Sequence, residues 1–231
     1  MSYPEHPETI ILKNRFYSAG LKEIDIWNYY QKVKSQILNE TRGRDLMFII
    51  MVEINKPIIR RNVAGKTIRL TPQNYDTFIT GRTLSIHSAM GMSEDIGIID
   101  VDVHPDDGFR WAKKATLDTY DFVMDKMPLV QTAQIRYTGK NSFHIFCKFG
   151  RKMKPDVIRF LLSQELRKSE LAKVYTIQGK RTRGVPNLDM APNKLRGNFI
   201  TLGALSTFGL RCMEVPYNKV NTFDPRQARI K

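Results

Sequence analysis

Two aspartates, Asp100 and Asp102, stand one residue apart in the otherwise apolar segment 95–103. Because side chains alternate between the two faces of a β-strand, both carboxylates are expected to project from one face. Carboxylates held this close repel each other unless a cation lies between them or one of them is protonated. Hard oxygen ligands favour magnesium or manganese, and two such ions can activate an attacking hydroxyl and stabilise a departing pyrophosphate. The alternative is that the pair faces solvent at a strand end.

A second group of polar residues lies between predicted strands at 133–139 and 142–149. The turn between them and the histidine that follows offer backbone amides, an ammonium group and an imidazole to a phosphate. The histidine has a second interpretation, a partly buried ring bonded to a backbone carbonyl, and both interpretations also apply to His87. The residues of this group are Thr138, Gly139, Lys140, Asn141 and His144.

Several kinds of site are not expected. The two cysteines, Cys147 and Cys212, exclude a disulfide scaffold and indicate a reducing compartment. His144 and Cys147 are an odd number of residues apart, which places them on opposite faces of a strand, so a zinc pair is not expected. No segment has the glycine and lysine spacing of a P-loop.

The charge balance indicates the class of partner. The 231 residues include 37 Lys+Arg and 23 Asp+Glu, which gives a formal net charge of +14, dispersed along the chain. Such an excess favours a polyanionic partner, nucleic acid ahead of a membrane surface, although a solvated basic face is the alternative. No apolar run approaches the ~20 residues of a membrane span, and no secretory signal is visible. We therefore expect a cytoplasmic protein without a membrane partner.

The elements that must position these residues alternate between helices and strands. Amphipathic or capping patterns predict helices over 22–39, 72–81 (with Thr71 as its N-cap), 107–127 and 155–171. Apolar and β-branched runs predict strands over 46–54, 83–89, 95–103, 133–139 and 142–149, and a hairpin after residue 56. This order indicates an α+β (mixed α/β) fold. We expect one domain over 1–231, with an approximate N-terminal lobe over 1–80 and a catalytic sheet over 81–231.

Three segments, in this order and spacing, resemble the archaeo-eukaryotic primase superfamily. They are IIDVD (98–102), RYTGKNSFHIF (136–146) and NLDMAPN (187–193), the last with a third aspartate, Asp189. The resemblance is strongest to the polymerase domain of prokaryotic non-homologous end-joining systems, the domain often fused to ligase D. It extends over most of the chain through the segments 14–48, 83–87, 179–190 and 204–211.

The resemblance implies a primase-polymerase catalytic fold, in which an RRM-like antiparallel sheet holds the carboxylates beside a smaller N-terminal α/β lobe. It implies that Asp100, Asp102 and Asp189 bind two divalent metals, Mn²⁺ or Mg²⁺, with Asp189 also a candidate base. It implies nucleotide binding by His87, Thr138, Gly139, Lys140, Asn141, His144 and Arg211. The implied nucleic-acid contacts are Lys13, Arg15, Lys56, Arg60, Arg61, Arg181 and Arg183. The family usually has Ser where Thr138 stands and Lys where Asn141 stands.

The implied activity is template-directed nucleotidyl transfer that fills or extends DNA ends in double-strand break repair by end joining. The implied partners are DNA, NTP or dNTP, and possible separate ligase and Ku proteins. A primase, or primase-polymerase, that makes primers de novo is the first alternative. A non-catalytic single-strand binding module and a metal-dependent nuclease are the others.

Overall fold

The computed structural model describes residues 9–13, 18–53, 56–104 and 106–230. Its strands are β1 (Thr9–Lys13), β2 (Ser18–Lys22), β3 (Leu46–Glu53), β4 (Lys56–Arg60), β5 (Asn62–Val63), β6 (Lys66–Thr67), β7 (Thr83–Ala89), β8 (Glu94–Asp102), β9 (Val130–Tyr137), β10 (Phe143–Met153), β11 (Thr176–Ile177), β12 (Asn187–Asp189), β13 (Asn198–Ile200) and β14 (Met213–Glu214). Its helices are α1 (Glu23–Lys32), α2 (Lys34–Glu40), α3 (Tyr75–Phe78), α4 (Phe109–Lys126) and α5 (Pro155–Lys168). None of the described helices is both long and apolar enough to cross a membrane.

The chain forms two compact units. The first comprises residues 1–89, 198–213 and 224–231, and the second comprises 90–197 and 214–223. The boundary differs from the one expected at residue 80 because β7 pairs with β3, and β13 pairs with β7. Strand pairing therefore assigns β7 and the late strand β13 to the first unit.

The first unit contains a sheet in the order β13-β7-β3-β4. The helix predicted over 22–39 is present as α1 and α2, which meet at Val33, and its apolar residues Ile26, Tyr30 and Ile37 are fully buried. The short helix predicted over 72–81 is confined to α3. The backbone N–H groups of Thr71 and Asn74 instead donate to each other's side chains, which makes a turn ahead of the helix.

The second unit contains the sheet that bears the aspartate pair, in the order β11-β12-β8-β10-β9-β14 among the described residues. The pairs β12–β8, β8–β10 and β10–β9 are antiparallel. With α4 after β8 and α5 after β10, the chain order is β-α-β-β-α-β, the ferredoxin-like arrangement that RRM domains share. The predicted α+β class is confirmed, and the sheet is antiparallel at these three pairs and parallel at its edge pair, β11 with β12.

The helices α4 and α5 belong to the apolar core of this unit. The core includes Ile99 and Val101 from β8 and Ile158 and Leu162 from α5. Gly97 allows a close approach, because a Cβ atom there would lie 2.6 Å from Ile158 Cγ2 and 2.9 Å from Leu162 Cδ1. Asp100 and Asp102 lie on the opposite face of β8 from Ile99 and Val101.

Candidate active site

Four polar residues form a row across neighbouring strands of the second unit. Asp189 on β12 is opposite Asp100 on β8, Asp100 is opposite His144 on β10, and His144 is opposite Arg136 on β9. Directly opposed residues of antiparallel strands have Cβ atoms about 4.5–5.5 Å apart. The register therefore brings together an acid from residue 189 and a histidine from residue 144 with the predicted pair on β8.

Asp100 has a buried oxygen that lacks a hydrogen bond. Its Oδ1 atom is buried without a hydrogen-bond partner, and Nε2 of His144 lies 3.5 Å away. Nδ1 of His144 is also buried without a partner. A buried carboxylate oxygen in this situation costs free energy unless a cation satisfies it. This oxygen is the strongest indication of a ligand in the unit.

Asp102 is buried beside a second negative charge and a single arginine. Its residue is 7% exposed, and Nη2 of Arg181 lies 2.5 Å from its Oδ2 atom. Burial, with a further contribution from the neighbouring Asp100 carboxylate, raises the pKa of Asp102 to about 7, although Arg181 opposes the rise. The site thus holds one of its acids close to the point of protonation at neutral pH.

Asp189 is held by the chain that follows it. Its Oδ1 atom accepts a hydrogen bond of 2.8 Å from the backbone N–H of Ala191. Two residues later, the fully buried side chain of Asn193 accepts from the N–H of Ile98 at 2.7 Å and donates to the carbonyl of the same residue. Asn193 thereby ties the segment after Asp189 to β8. Asn193 is the last residue of the segment NLDMAPN, but no role was predicted for it from the sequence.

The three carboxylates suit a hard divalent cation by their chemistry and by the unsatisfied oxygen of Asp100. In the part of the chain that the structure describes, no three acidic, histidine or cysteine side chains already converge as a ligand set. Instead, Arg181 donates to Asp102 and the backbone N–H of Ala191 donates to Asp189. A cation that binds the Oδ2 atom of Asp102 would have to displace Arg181.

The predicted phosphate-binding turn is closed by its own hydrogen bonds. The hydroxyl of Thr138 is buried, 2.7 Å from the hydroxyl of Ser142, and the Tyr137 hydroxyl donates to the carbonyl of Lys140. Gly139 takes a positive φ of 79°, which suits glycine. Lys140 is exposed. Thr138 thus shapes the turn, while Lys140 lies on its exposed side. The nucleotide-binding roles of Thr138, Lys140 and the half-buried Asn141 stay predictions.

Two other predicted nucleotide contacts belong to the first unit. The ring Nε2 atom of His87 lies 2.9 Å from the hydroxyl of Ser85 on the same strand. Arg211 donates from Nη2 to the carbonyl of Gln227 at 3.2 Å, and its Nε atom is buried without a hydrogen-bond partner. Their roles also stay predictions.

The predicted nucleic-acid contacts are distributed over both units. Arg60 and Arg61 are exposed in the first unit, and Arg181 and Arg183 are exposed in the second. The structure places Lys13 in β1 and Lys56 in β4 without describing their side chains, and Arg15 lies outside the described residues.

A separate cleft lies at the C-terminal ends of α4 and α5, with a volume of about 540 Å³. It is lined by acids from both helices and from the turn after α5, over an apolar floor that includes Phe122 and Leu171. Lys126 and Lys168 line the cleft as well, and Lys168 pairs with Glu165 at 3.6 Å, so the charge of the cleft is mixed. The acids are Asp121, Asp125, Glu165 and Glu170.

No model of a protein family matches the chain, and no curated protein matches it. A solved structure does match: the polymerase domain from Mycobacterium tuberculosis ligase D in complex with DNA. The match has a TM-score of 0.74 at 13% sequence identity, and it covers 88% of this chain and 83% of that one. The chain therefore has the fold of this ligase D polymerase domain, as the resemblance in its sequence predicted.

Proposed function

We propose that the protein is a template-directed nucleotidyltransferase of the primase-polymerase type. The observation that carries the proposal is the row of Asp189, Asp100 and His144 across three strands, with Asp102 beside it and one oxygen of Asp100 unsatisfied. Nucleotidyl transfer requires positioning and neutralisation of a triphosphate more than covalent chemistry. Clustered acids in a chain of net charge +14 suit that requirement, because the acids hold metal and the cations hold phosphate.

In this proposal Asp100 and Asp102 are shared ligands of two divalent cations, Mn²⁺ or Mg²⁺, and Asp189 completes the set. The cations would polarise the phosphate and lower the pKa of the attacking hydroxyl. Asp189 lies opposite Asp100, so it can orient the 3′-hydroxyl of a primer and accept its proton. His144, whose Nε2 is 3.5 Å from Asp100, would donate a hydrogen bond to an oxygen of the metal-bound triphosphate.

The exposed cations supply the remaining contacts. Lys140 projects from the turn that precedes β10, where it can reach the triphosphate. Arg183 and the arginines of β4 and its continuation are placed on the surface, where they can contact a template backbone with strong dependence on salt. The matched polymerase domain was solved with DNA, which supports DNA as a partner of this chain.

We further propose that the reaction fills or extends DNA ends during end joining, together with separate ligase and Ku proteins. The support is the sequence resemblance and the similarity of fold to a ligase D domain. A test of this role is whether the protein extends a recessed 3′ end across a break with short complementary overhangs, with NTP or dNTP as substrate.

The activity itself is tested by primer extension with Mn²⁺ or Mg²⁺ on one template. Asp100→Ala is expected to lose incorporation by on the order of 10³-fold, since such metals contribute several kcal/mol to transition-state stabilisation. The matched control is Asp95→Ala, which removes an acid from the same strand that pairs with Lys148 at the surface. An Asp100→Ala/Asp102→Ala double variant that retains activity would refute the proposed chemistry.

The same assay separates the alternatives. Synthesis of dinucleotides on a bare single-stranded template, without a primer, would identify a primase. Binding of DNA with no incorporation under any metal would identify a binding module, and degradation of the template would identify a nuclease.

A further inference from the structure

The segment that carries Arg181 connects two parallel strands. β11 and β12 lie side by side in parallel, with Thr176 opposite Asn187. The chain between them must therefore return across the end of the sheet within 178–186. It carries Lys180, Arg181 and Arg183, all exposed. A short, highly cationic and exposed connection of this kind needs anchors to take one conformation.

One anchor is at the base of the segment. The N–H of Gly179 donates to the side-chain oxygen of Asn187 at 3.0 Å, and the N–H of Gln178 donates to the carbonyl of Leu188 at 2.9 Å. Gln178 has a positive φ of 54°, a strained conformation for a residue with a side chain. These two hydrogen bonds fix the start of the segment against β12.

The other anchor is a buried carboxylate at the tip. Both oxygens of Asp107 accept from the N–H of Gly184, at 3.0 and 3.1 Å. Gly184 lies in a turn that the N–H of Val185 closes by donating to the carbonyl of Thr182, and it takes a positive φ of 77°, which suits glycine. Asp107 is only 7% exposed, so water competes little for this hydrogen bond.

Asp107 lies in the loop that follows β8, the strand that bears the proposed metal-binding aspartates. It follows Asp102 by five residues, and its N–H donates to the carbonyl of His104 at 2.9 Å, which closes a turn directly after β8. The same short stretch therefore holds the tip of the segment through Asp107 and meets Arg181 through Asp102.

We propose that Asp107 is a positioning residue: it anchors the segment 178–186 to the end of β8 and so places the guanidinium of Arg181 on Asp102. Asp107 acts through Arg181 and does not contact substrate or metal. Its consequence for catalysis rests on the proposed function, whereas the anchoring itself does not. When Asp107 is lost, the arginine is held less often at Asp102, and a cation meets less competition for that carboxylate.

The anchoring is tested by limited digestion with trypsin, whose products are quantified by mass spectrometry. In Asp107→Ala, cleavage after Lys180, Arg181 and Arg183 is expected to rise about tenfold relative to cleavage elsewhere in the second unit, since a buried charge-assisted hydrogen bond is lost. The matched control is Asp106→Ala, which removes the same charge from the adjacent, exposed residue. Asp107→Asn keeps an acceptor oxygen and is expected to stay near the rate of the parent.

Two results of the digestion would overturn the anchoring. One is an unchanged cleavage ratio in Asp107→Ala. The other is an equal rise in Asp106→Ala, which would make charge rather than the hydrogen bond responsible. If Asp107→Ala is globally destabilised, cleavage rises at all sites together. The proposal is then contradicted if cleavage within 178–186, relative to cleavage elsewhere in the second unit, is the same in Asp107→Ala, in Asp107→Asn and in the parent.

The action through Arg181 is tested by Mn²⁺ affinity, measured by calorimetry without nucleic acid. Arg181→Ala is expected to bind Mn²⁺ about fivefold more tightly, and Asp107→Ala to show part of that gain. The double variant should bind no more tightly than Arg181→Ala, because the two residues act as one unit. Additive gains would overturn this part. If the parent binds no Mn²⁺, the proposed function fails, and the digestion alone decides the role of Asp107.

Discussion

Replacement of Asp102 by asparagine is expected to stabilise the metal-free protein while it abolishes activity. Asp102 is 7% exposed, and burial together with the charge of Asp100 raises its pKa from 3.8 to about 7. Each pH unit of such a rise corresponds to about 1.36 kcal/mol, so ionisation of this carboxyl in the folded state costs up to about 4 kcal/mol. The amide of an asparagine at this position would have no charge to bury. The structure thus predicts that Asp102, a proposed metal ligand, lowers the stability of the metal-free fold.

The sign of the pH dependence follows from proton binding. Between about pH 4 and pH 7 the folded state keeps the proton on Asp102 while the unfolded state has lost it, so the free energy of unfolding of the parent falls as pH rises. In Asp102→Asn this dependence is absent. The variant should therefore be more stable by about 2–4 kcal/mol at pH 8, and the difference should vanish near pH 4.

The assay is urea unfolding at several pH values in the presence of a chelator. The chain has two tryptophans, one in each unit, so a Trp27→Phe background leaves Trp111 on α4 to report on the unit that holds Asp102. The matched control is Asp95→Asn on the same strand. The hydrogen bond from Lys148 lowers the pKa of Asp95, so its replacement should destabilise the protein at pH 8, the opposite sign.

Two results would refute the reasoning. One is a variant that is less stable than the parent at pH 8. The other is a gain that does not change with pH, which would indicate that packing and not charge is responsible. Addition of Mn²⁺ should reverse the ranking, because only the parent keeps both carboxylates and is stabilised by the bound ion.

Three further outcomes are expected. Mn²⁺ affinity of the parent should be about tenfold weaker at pH 6 than at pH 8, because the metal needs the deprotonated form of Asp102, whose pKa is about 7; equal affinities would contradict this assignment. His144→Ala should raise the KM for nucleotide more than the Kd for template in the primer-extension and binding assays, and equal losses would indicate a structural histidine. Asn193→Ala should lower the free energy of unfolding by about 2–4 kcal/mol in urea titration, since the N–H and carbonyl of Ile98 would both be left buried without their partner. A change within about 0.5 kcal/mol, the range of ordinary surface substitutions, would contradict this prediction.

Local patterns were sufficient for most elements. The alternation in 95–103 predicted both the strand β8 and the shared face of Asp100 and Asp102, because a period of two is a property of any extended chain. The same reasoning placed His144 and Cys147 on opposite faces, and the structure confirms it: Cys147 lies in the core while His144 lies beside Asp100. The resemblance of the motifs predicted the fold that the comparison with the ligase D domain confirms.

Other features could not be predicted in this way. The division of the chain into units differs from the expected boundary, because β13 returns to pair with β7 from more than a hundred residues away. The roles of Asn193 and Asp107 were not predicted, since one amide or acid among many becomes important only through what it contacts in the fold. The helix predicted over 72–81 is longer than the observed α3, because mutual hydrogen bonds between Thr71 and Asn74 form a turn in place of its first residues.

The sequence by itself determined which residues could do chemistry and on which face of its own element each one stands, since both follow from residue type and local periodicity. Only the tertiary structure decided that Asp189 lies opposite Asp100 and that Arg181 reaches Asp102, since pairing between distant strands depends on the whole core. It also decided the raised pKa of Asp102, because burial and the nearness of a second charge are properties of the folded environment and not of the aspartate.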